Sequence, residues 1–373
     1  MAIYFDNAAT TRIDPIVAEA MLPFLNGSFG NPSAIHSMGR PIRAEIEKAR
    51  KTIAAKINAS PSEIFFTSGG TEANNTALLG CVRDLGVKHI ITSNIEHHCI
   101  LHYVDFLEKH HDVAIHKLSV NKEGRIDYTE LNEKLKELDG KTLVSLMHGN
   151  NEIGTMIDLN KVSEICKSHD ALFHSDTVQT FAHFPLDVQE TPLDFISCSA
   201  HKFHGPKGIG FLYIHSDHKI SPMFYGGAQE RNMRAGTENI LGIVGLAKAT
   251  EIAFDSLEED QKHITGLRNN LKDQLLENFQ DIQFNGDCDG ESLYTVLNVS
   301  FPVSPDKMLL LNLDVSGICA SGGSACSSGT DIGSHVLNAI GADPNRTAIR
   351  FSFSKFSTRL EVDELIEKLK GML

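Results

Sequence analysis

The sequence predicts an α/β fold: a mostly parallel central sheet with helices on both faces, joined to a smaller α+β unit. Three observations predict it. Short apolar runs alternate with longer amphipathic segments through the first two thirds of the chain. Nearly every unusual residue cluster falls just after one of these runs, where ligands of such sheets bind. A length of 373 residues exceeds what one hydrophobic core usually fills. The expected division is a large domain over 13–255 and a small one from 1–12 plus 256–373.

In chain order, EIFFTS, HIITS, TLVSLMH and LFHSD read as buried strands. TEANNTALLGCVRDLG, HCILHYVDFLEKHH and LNKVSEICKSHD read as the helices between them. From about Ile240 the character changes to one long helical stretch ending at ENF, then the strands SLYTVLNVSF and AIRFSFS, and a terminal helix LEVDELIEKLKGM.

A formal net charge of -14 repels phosphate backbones and anionic membranes, so nucleic-acid binding over a broad surface is disfavoured. No apolar run approaches bilayer-spanning length, and the N-terminus lacks a basic segment followed by an apolar one. A cytoplasmic protein is expected, with its seven cysteines reduced because none pairs as C-x-x-C.

Five clusters could carry chemistry. In FFTSGGTEANN a strand ends in a Ser-Gly-Gly turn and a helix begins near Thr71, which makes either an anion site or an ordinary glycine turn capped by threonine. In LFHSDTVQT a strand ends at Asp176, with Gln179 following; Asp176 is a cap, an ion-pair partner, or the acid that keeps a ring nitrogen protonated. In SCSAHKFHGPKGIG, Lys202 stands at a strand end. With Ser199 and His201 donating to a phosphate and Asp176 nearby, it fits the Schiff-base lysine of a pyridoxal phosphate enzyme. Lys207, in a Gly-Pro-Lys-Gly turn, is its competitor and is expected to point outward. In SGGSACSSGTDIGS, Cys326 sits amid glycine and serine, as suits a reactive thiol. In NIEHHCILH a metal reading lacks a second ligand cluster, and His97 reads better as an aromatic lid over a planar cofactor.

At this point the chain resembles the cysteine desulfurases of the NifS/IscS type, within the fold-type-I pyridoxal phosphate enzymes of the class-V aminotransferase family. YFDNAATTR, GNPSAIHSMGR, SGGTEANN, EHHCIL, MHGNNEIGT, DTVQT, SAHKFHGPKGIG, RNMRAGTEN, SGGSACSSG and AIRFSFS occur in that family's order, nearly end to end. The resemblance implies that Lys202 is the Schiff-base lysine, Cys326 the sulfur acceptor and His97 the ring that stacks on the cofactor. It implies that Asp176 faces the ring nitrogen and Gln179 the phenolic oxygen. Thr71, beside Gly70, would hold the phosphate with Ser199 and His201, and Thr237 would reach it from a second subunit, hence a homodimer. Asn151 and Arg350 would grip the substrate carboxylate, and no metal is implied.

The implied reaction converts L-cysteine to L-alanine and leaves a persulfide on Cys326 for a sulfur-accepting protein in iron–sulfur cluster, thio-cofactor or tRNA biosynthesis. Alternatives are a selenocysteine or cystine lyase, an ordinary aminotransferase, or a binding protein that has lost catalysis. Two departures stand out against relatives. The chain stops at Leu373 without the tail through which the best-known relatives dock a scaffold, and Gly70 and Gly149 replace bulkier residues. The stretch from Cys326 to His335 has the long form of the housekeeping branch.

Overall fold

The computed structural model describes residues 2–323 and 333–373. Cys326 lies outside the described residues. The chain opens with a short strand, β1 (Ile3–Tyr4), followed by α1 (Pro15–Asn26) and α2 (Gly39–Lys56). The Asp14 side chain caps α1 by accepting from Ile16 N, and Pro15 occupies the first helical position, where a missing N–H costs nothing.

Strands and helices then alternate as expected: β2 (Ile64–Thr67), α3 (Gly70–Arg83), β3 (His89–Ser93), α4 (His98–His110), β4 (Ala114–Leu118), α5 (Tyr128–Glu137), β5 (Thr142–Ser145), α6 (Leu159–Ser168) and β6 (Leu172–Asp176). Two further strands, β7 (Phe195–Ser199) and β8 (Gly210–Ile214), complete a seven-stranded sheet of order β2-β8-β7-β6-β5-β3-β4. All its pairings are parallel except those of β8. Side chains alternate across it, as the two-residue strand period requires. Phe195 packs on one face with α3 and α4, whereas Ile196 and Cys198 pack on the other with α2 and α6.

The register decides where chemistry can gather. Asp176 pairs with Ser197 at the end of β6, Ser199 with Gly210, and Gly210 with Thr67. The carboxyl ends of β2, β6 and β7 therefore share one edge of the sheet.

The long helical stretch predicted from Ile240 divides at Ser256 into α7 (Ile240–Asp255) and α8 (Leu257–Asn278). Ser256 Oγ bonds both Ile252 O (2.9 Å) and Asp260 Oδ2 (2.8 Å), which supports the break locally. The two halves then serve different cores. Ile243 and Leu246 of α7 join the cluster beneath the large sheet. Leu267 and Leu271 of α8 join a second cluster with Ile3, Phe5 and Phe351.

That second cluster is built on a three-stranded antiparallel sheet in which β10 (Val296–Phe301) lies between β9 (Gln283–Asn285) and β12 (Thr347–Ser352). Helix α9 (Leu309–Val315) precedes β11 (Ile318–Cys319), which pairs in parallel with β1 and so ties the N-terminus to this unit. Helices α10 (His335–Ala339) and α11 (Arg359–Lys370) follow, the second covering the sheet with Val362, Leu365 and Leu369. Among the described residues no helix is long and apolar enough to cross a membrane.

Candidate active site

A cavity of about 510 Å³ opens at the shared strand edge. Gly70, Thr71, His97, Asn151, Asp176, Gln179, Ser199, His201, Lys202 and Arg350 all line it. Of the predicted site residues within the described range, Thr237 alone is outside the lining, and it is exposed.

Helix α3 starts at Gly70 behind Gly69, with no side chain capping its first N–H groups. Thr71 is thus not a cap, and the free N–H groups of the first turn face the cavity as an anion cradle. Gly69 has φ of 147°, a conformation that favours glycine, and a Cβ there would meet Ser199 Oγ at 3.4 Å. Gly70 packs even more closely: its added Cβ would stand 2.6 Å from Val178 Cγ2.

Lys202 ends the short turn Ala200–Lys202 that follows β7. Its Nζ donates to Ala8 O (2.7 Å) and Ala9 O (2.9 Å). Gln179 Nε2 also donates to Ala8 O, at 3.0 Å. The N-terminal segment thus supplies the carbonyls that hold the amine at the cavity. Lys207 is exposed, as expected, although it also reaches the cavity rim.

Asp176 is buried, with Oδ1 accepting from Val178 N (2.9 Å) and Oδ2 from Asn74 Nδ2 (2.7 Å). His97 caps α4 through Nδ1, which accepts from Cys99 N at 3.1 Å. Burial lowers the His97 pKa, the nearby Asp176 raises it, and the Lys202 charge lowers it again. His201 is pushed down to about 4, by burial first and then by the positive charges of Lys202 and Lys207. Its Nδ1 pairs with Thr10 Oγ1 at 3.2 Å. Arg350, fully buried, donates to Asn151 O (2.8 Å) and Asp6 Oδ1 (2.7 Å).

Some site residues were not singled out in the sequence. The carbonyls of Ala8 and Ala9 carry no side-chain signal. Asn74 and Asp6 sit inside recognisable motifs, yet only the fold shows what they touch. Cys99 lines the cavity as well, its thiol pushed up to about 12, chiefly by burial, so it is a poor nucleophile. Among the described residues no group of histidine, cysteine and carboxylate side chains could hold a metal ion.

The donor set fits pyridoxal phosphate: an anion cradle, an amine, a carboxylate and an imidazole face converge on one cavity. Comparison with known proteins agrees. Residues 3–365 match the family model for aminotransferase class-V. The chain is 44% identical over 366 residues to the putative cysteine desulfurase IscS 1 of Bacillus subtilis, covering 96% of this chain and 95% of that one. It is 43% identical to the cysteine desulfurase IscS of Dictyoglomus turgidum, covering 100% and 94%. A solved NifS-like protein superimposes with a TM-score of 0.91 at 38% identity, covering 100% of this chain and 99% of that one. SspA, solved in complex with cysteine, gives 0.81 at 32% identity, covering 95% and 100%. With this agreement from end to end, the chain belongs to the class-V aminotransferase family and, within it, to the cysteine desulfurases of the NifS/IscS type.

Proposed function

We propose that the cavity holds pyridoxal 5'-phosphate and that the protein converts L-cysteine to L-alanine, passing the sulfur to Cys326 as a persulfide. The observation that carries this reading is the convergence of Lys202 Nζ, the Asp176 carboxylate and the uncapped start of α3 on one cavity that Arg350 also lines. The cofactor, when bound, supplies an electron-withdrawing ring that stabilises negative charge at the substrate's Cα.

The first turn of α3, with Ser199 and His201, would hold the phosphate. His97, held by its cap bond to Cys99 N, would pack on the ring. Asp176 would keep the ring nitrogen protonated, Gln179 would face the phenolic oxygen, and Asn151 and Arg350 would hold the substrate carboxylate. Lys202 removes the Cα proton and returns one later. The Cys326 thiolate attacks the substrate sulfur, forming the S–S bond as the C–S bond breaks. L-cysteine and a thiol thus give L-alanine and a persulfide, with no external oxidant.

Two identical subunits complete the reading. Helix α1 and the following segment expose Ile16, Leu22, Leu25, Phe29 (80% exposed) and Ile35 (90% exposed), an apolar surface suited to a second copy. Exposed Thr237 would reach the partner's phosphate across that contact. The small unit of 1–12 and 256–373 and the large one of 13–255 would bracket the site. The six described cysteines are free, which supports a cytoplasmic setting. The final acceptor is a protein thiol of a scaffold or thiolation system.

The test compares wild type with Cys326→Ser and Lys202→Ala. Alanine release and a trappable persulfide should need both residues. Full alanine release from L-cysteine by Cys326→Ser would remove the desulfurase reading in favour of a lyase.

A further inference from the structure

Behind Asp176 lies a buried polar chain that the reaction above does not use. Asp176 Oδ2 accepts from Asn74 Nδ2 at 2.7 Å. Asn74 Oδ1 meets His174 Nε2 at 3.1 Å, and Ser197 Oγ lies 3.2 Å from the same nitrogen. His174 Nδ1 meets Ser145 Oγ at 2.9 Å. Asn74, Ser145, His174 and Ser197 are all buried.

The directions of these bonds follow from chemistry. A carboxylate offers only acceptors, so the amide nitrogen of Asn74 must face Asp176 and its oxygen must face His174. His174 therefore carries its proton on Nε2 and accepts from the Ser145 hydroxyl on Nδ1. Burial pushes its pKa down to about 3, which keeps the ring neutral and this tautomer in place. The second Asn74 N–H is taken by Cys99 Sγ at 3.3 Å, so each polar group of the amide has a partner. From Ser145 through His174 to Asn74, each successive bond donates toward Asp176.

We propose that Asn74 and His174 are positioning residues: His174 fixes the Asn74 amide so that it always presents N–H, never oxygen, to the carboxylate facing the cofactor. Each bond fixes the donor and acceptor roles in the next. This rests on the reading that Asp176 faces the cofactor's ring nitrogen.

The test uses purified holoprotein and the pH midpoint at which its cofactor absorbance changes. Without the His174 N–H to hold its oxygen, the Asn74 amide turns out of line with Asp176 and leaves that charge less neutralised, which favours the protonated form of the facing cofactor. His174→Phe should therefore move the midpoint upward by about one pH unit. His174→Gln, whose amide nitrogen still donates where Nε2 does, should restore the wild-type value. Asn74→Ala should shift it in the same direction, and the double variant Asn74→Ala/His174→Phe should match Asn74→Ala alone, because His174 acts only through Asn74. Additive shifts, or a wild-type midpoint in a folded Asn74→Ala, would overturn the proposal. Should His174→Phe not fold, Asn74→Ala and His174→Gln still decide it. Lys202→Ala separates the parent reading, since retention of the wild-type cofactor spectrum there would refute the site assignment itself.

Discussion

Arg350 reaches across 344 residues of sequence to hold Asp6, with Nη2 and Oδ1 2.7 Å apart. Its other terminal nitrogen is spent on the Asn151 carbonyl, and among the described residues its Nε is buried without a partner. A substrate carboxylate that binds Arg350 must therefore compete with Asp6. Replacing Asp6 with Asn removes the competing charge while keeping an acceptor. We expect KM for L-cysteine to fall about 3- to 10-fold in Asp6→Asn, a change of order 1 kcal/mol. In Arg350→Lys, which loses the planar fork, KM should rise about 10-fold or more. Steady-state kinetics on L-cysteine check both, and an unchanged KM in Asp6→Asn would mean that the pair does not gate the substrate.

Stability should peak near pH 6.5, because buried groups pull it down on either side. His148 and His174 are buried neutral, their pKa values pushed down by burial to about 4 and about 3. Below the ordinary histidine value of 6.5 the unfolded chain binds protons that the folded chain refuses, so stability falls as pH drops. His201 and His204, each pushed down to about 4 with burial as the first cause, act the same way. Glu96 acts oppositely. Burial raises its carboxyl from 4.5 to about 8, outweighing bonds from Ser93 Oγ and Met147 N, so the folded chain keeps a proton that the unfolded chain loses. That contribution falls as pH rises through this window, and above 6.5 no histidine offsets it. Each such group supplies a slope of about 1.4 kcal/mol per pH unit. Urea melts at pH 5, 6.5 and 8 should show the maximum, and Glu96→Gln should flatten the alkaline side while steepening the acid side, where Glu96 opposes the histidines. A wild-type curve that rises steadily from pH 5 to 8 contradicts this assignment.

Glu230 is expected to matter for stability although it is not among the residues lining the cavity. It holds Arg50 through two 2.8 Å bonds and accepts from Phe66 N at 2.9 Å, with both side chains buried. This clamp secures Glu230, Arg231 and Asn232, three successive non-glycine residues with φ of 43°, 56° and 66°. Glu230→Ala leaves the buried Arg50 with only the half-exposed Glu47 carboxylate at Nε, 3.3 Å away, and releases the turn, so it should cost about 3 kcal/mol in chemical denaturation. A loss under about 1 kcal/mol, the scale of exposed pairs, would show that the clamp is not buried in solution.

How much of this was legible in the sequence depends on what each residue signals locally. Lys202, Asp176 and the Ser-Gly-Gly turn announce themselves, because each interrupts an apolar run at a strand's end, and the sheet register then sets Asp176, Ser199 and Thr67 on one edge. The expected domain boundary falls at 255/256, yet the helix reads as unbroken there, since serine in a continuous helical pattern looks ordinary until two separate cores claim the two halves. Asp6 and the Ala8 and Ala9 carbonyls were equally silent, for their partners lie roughly 190 to 340 residues away and backbone oxygens leave no mark in a sequence. Nor does composition reveal that Cys99 and Cys198 are deeply desolvated thiols, whose pKa values burial raises.

Gly70 offers the sharpest check on how the cavity is packed. Its missing Cβ leaves room for Val178, whose Cγ2 would be only 2.6 Å from a Cβ there. Val178 cannot retreat freely, because its N–H is bonded to Asp176 Oδ1 at 2.9 Å. An alanine at Gly70 must therefore push Val178 and, through that bond, disturb the carboxylate expected to face the cofactor ring. We expect Gly70→Ala to weaken retention of the cofactor about 10-fold, a misfit of order 1–3 kcal/mol. Trimming the clashing methyl groups should undo it, so Gly70→Ala/Val178→Ala is expected to recover most of the lost affinity. Dialysis of holoprotein followed by cofactor absorbance measures both. If Gly70→Ala binds weakly and the double variant binds no better, the defect arises at the helix N–H cradle rather than at Val178.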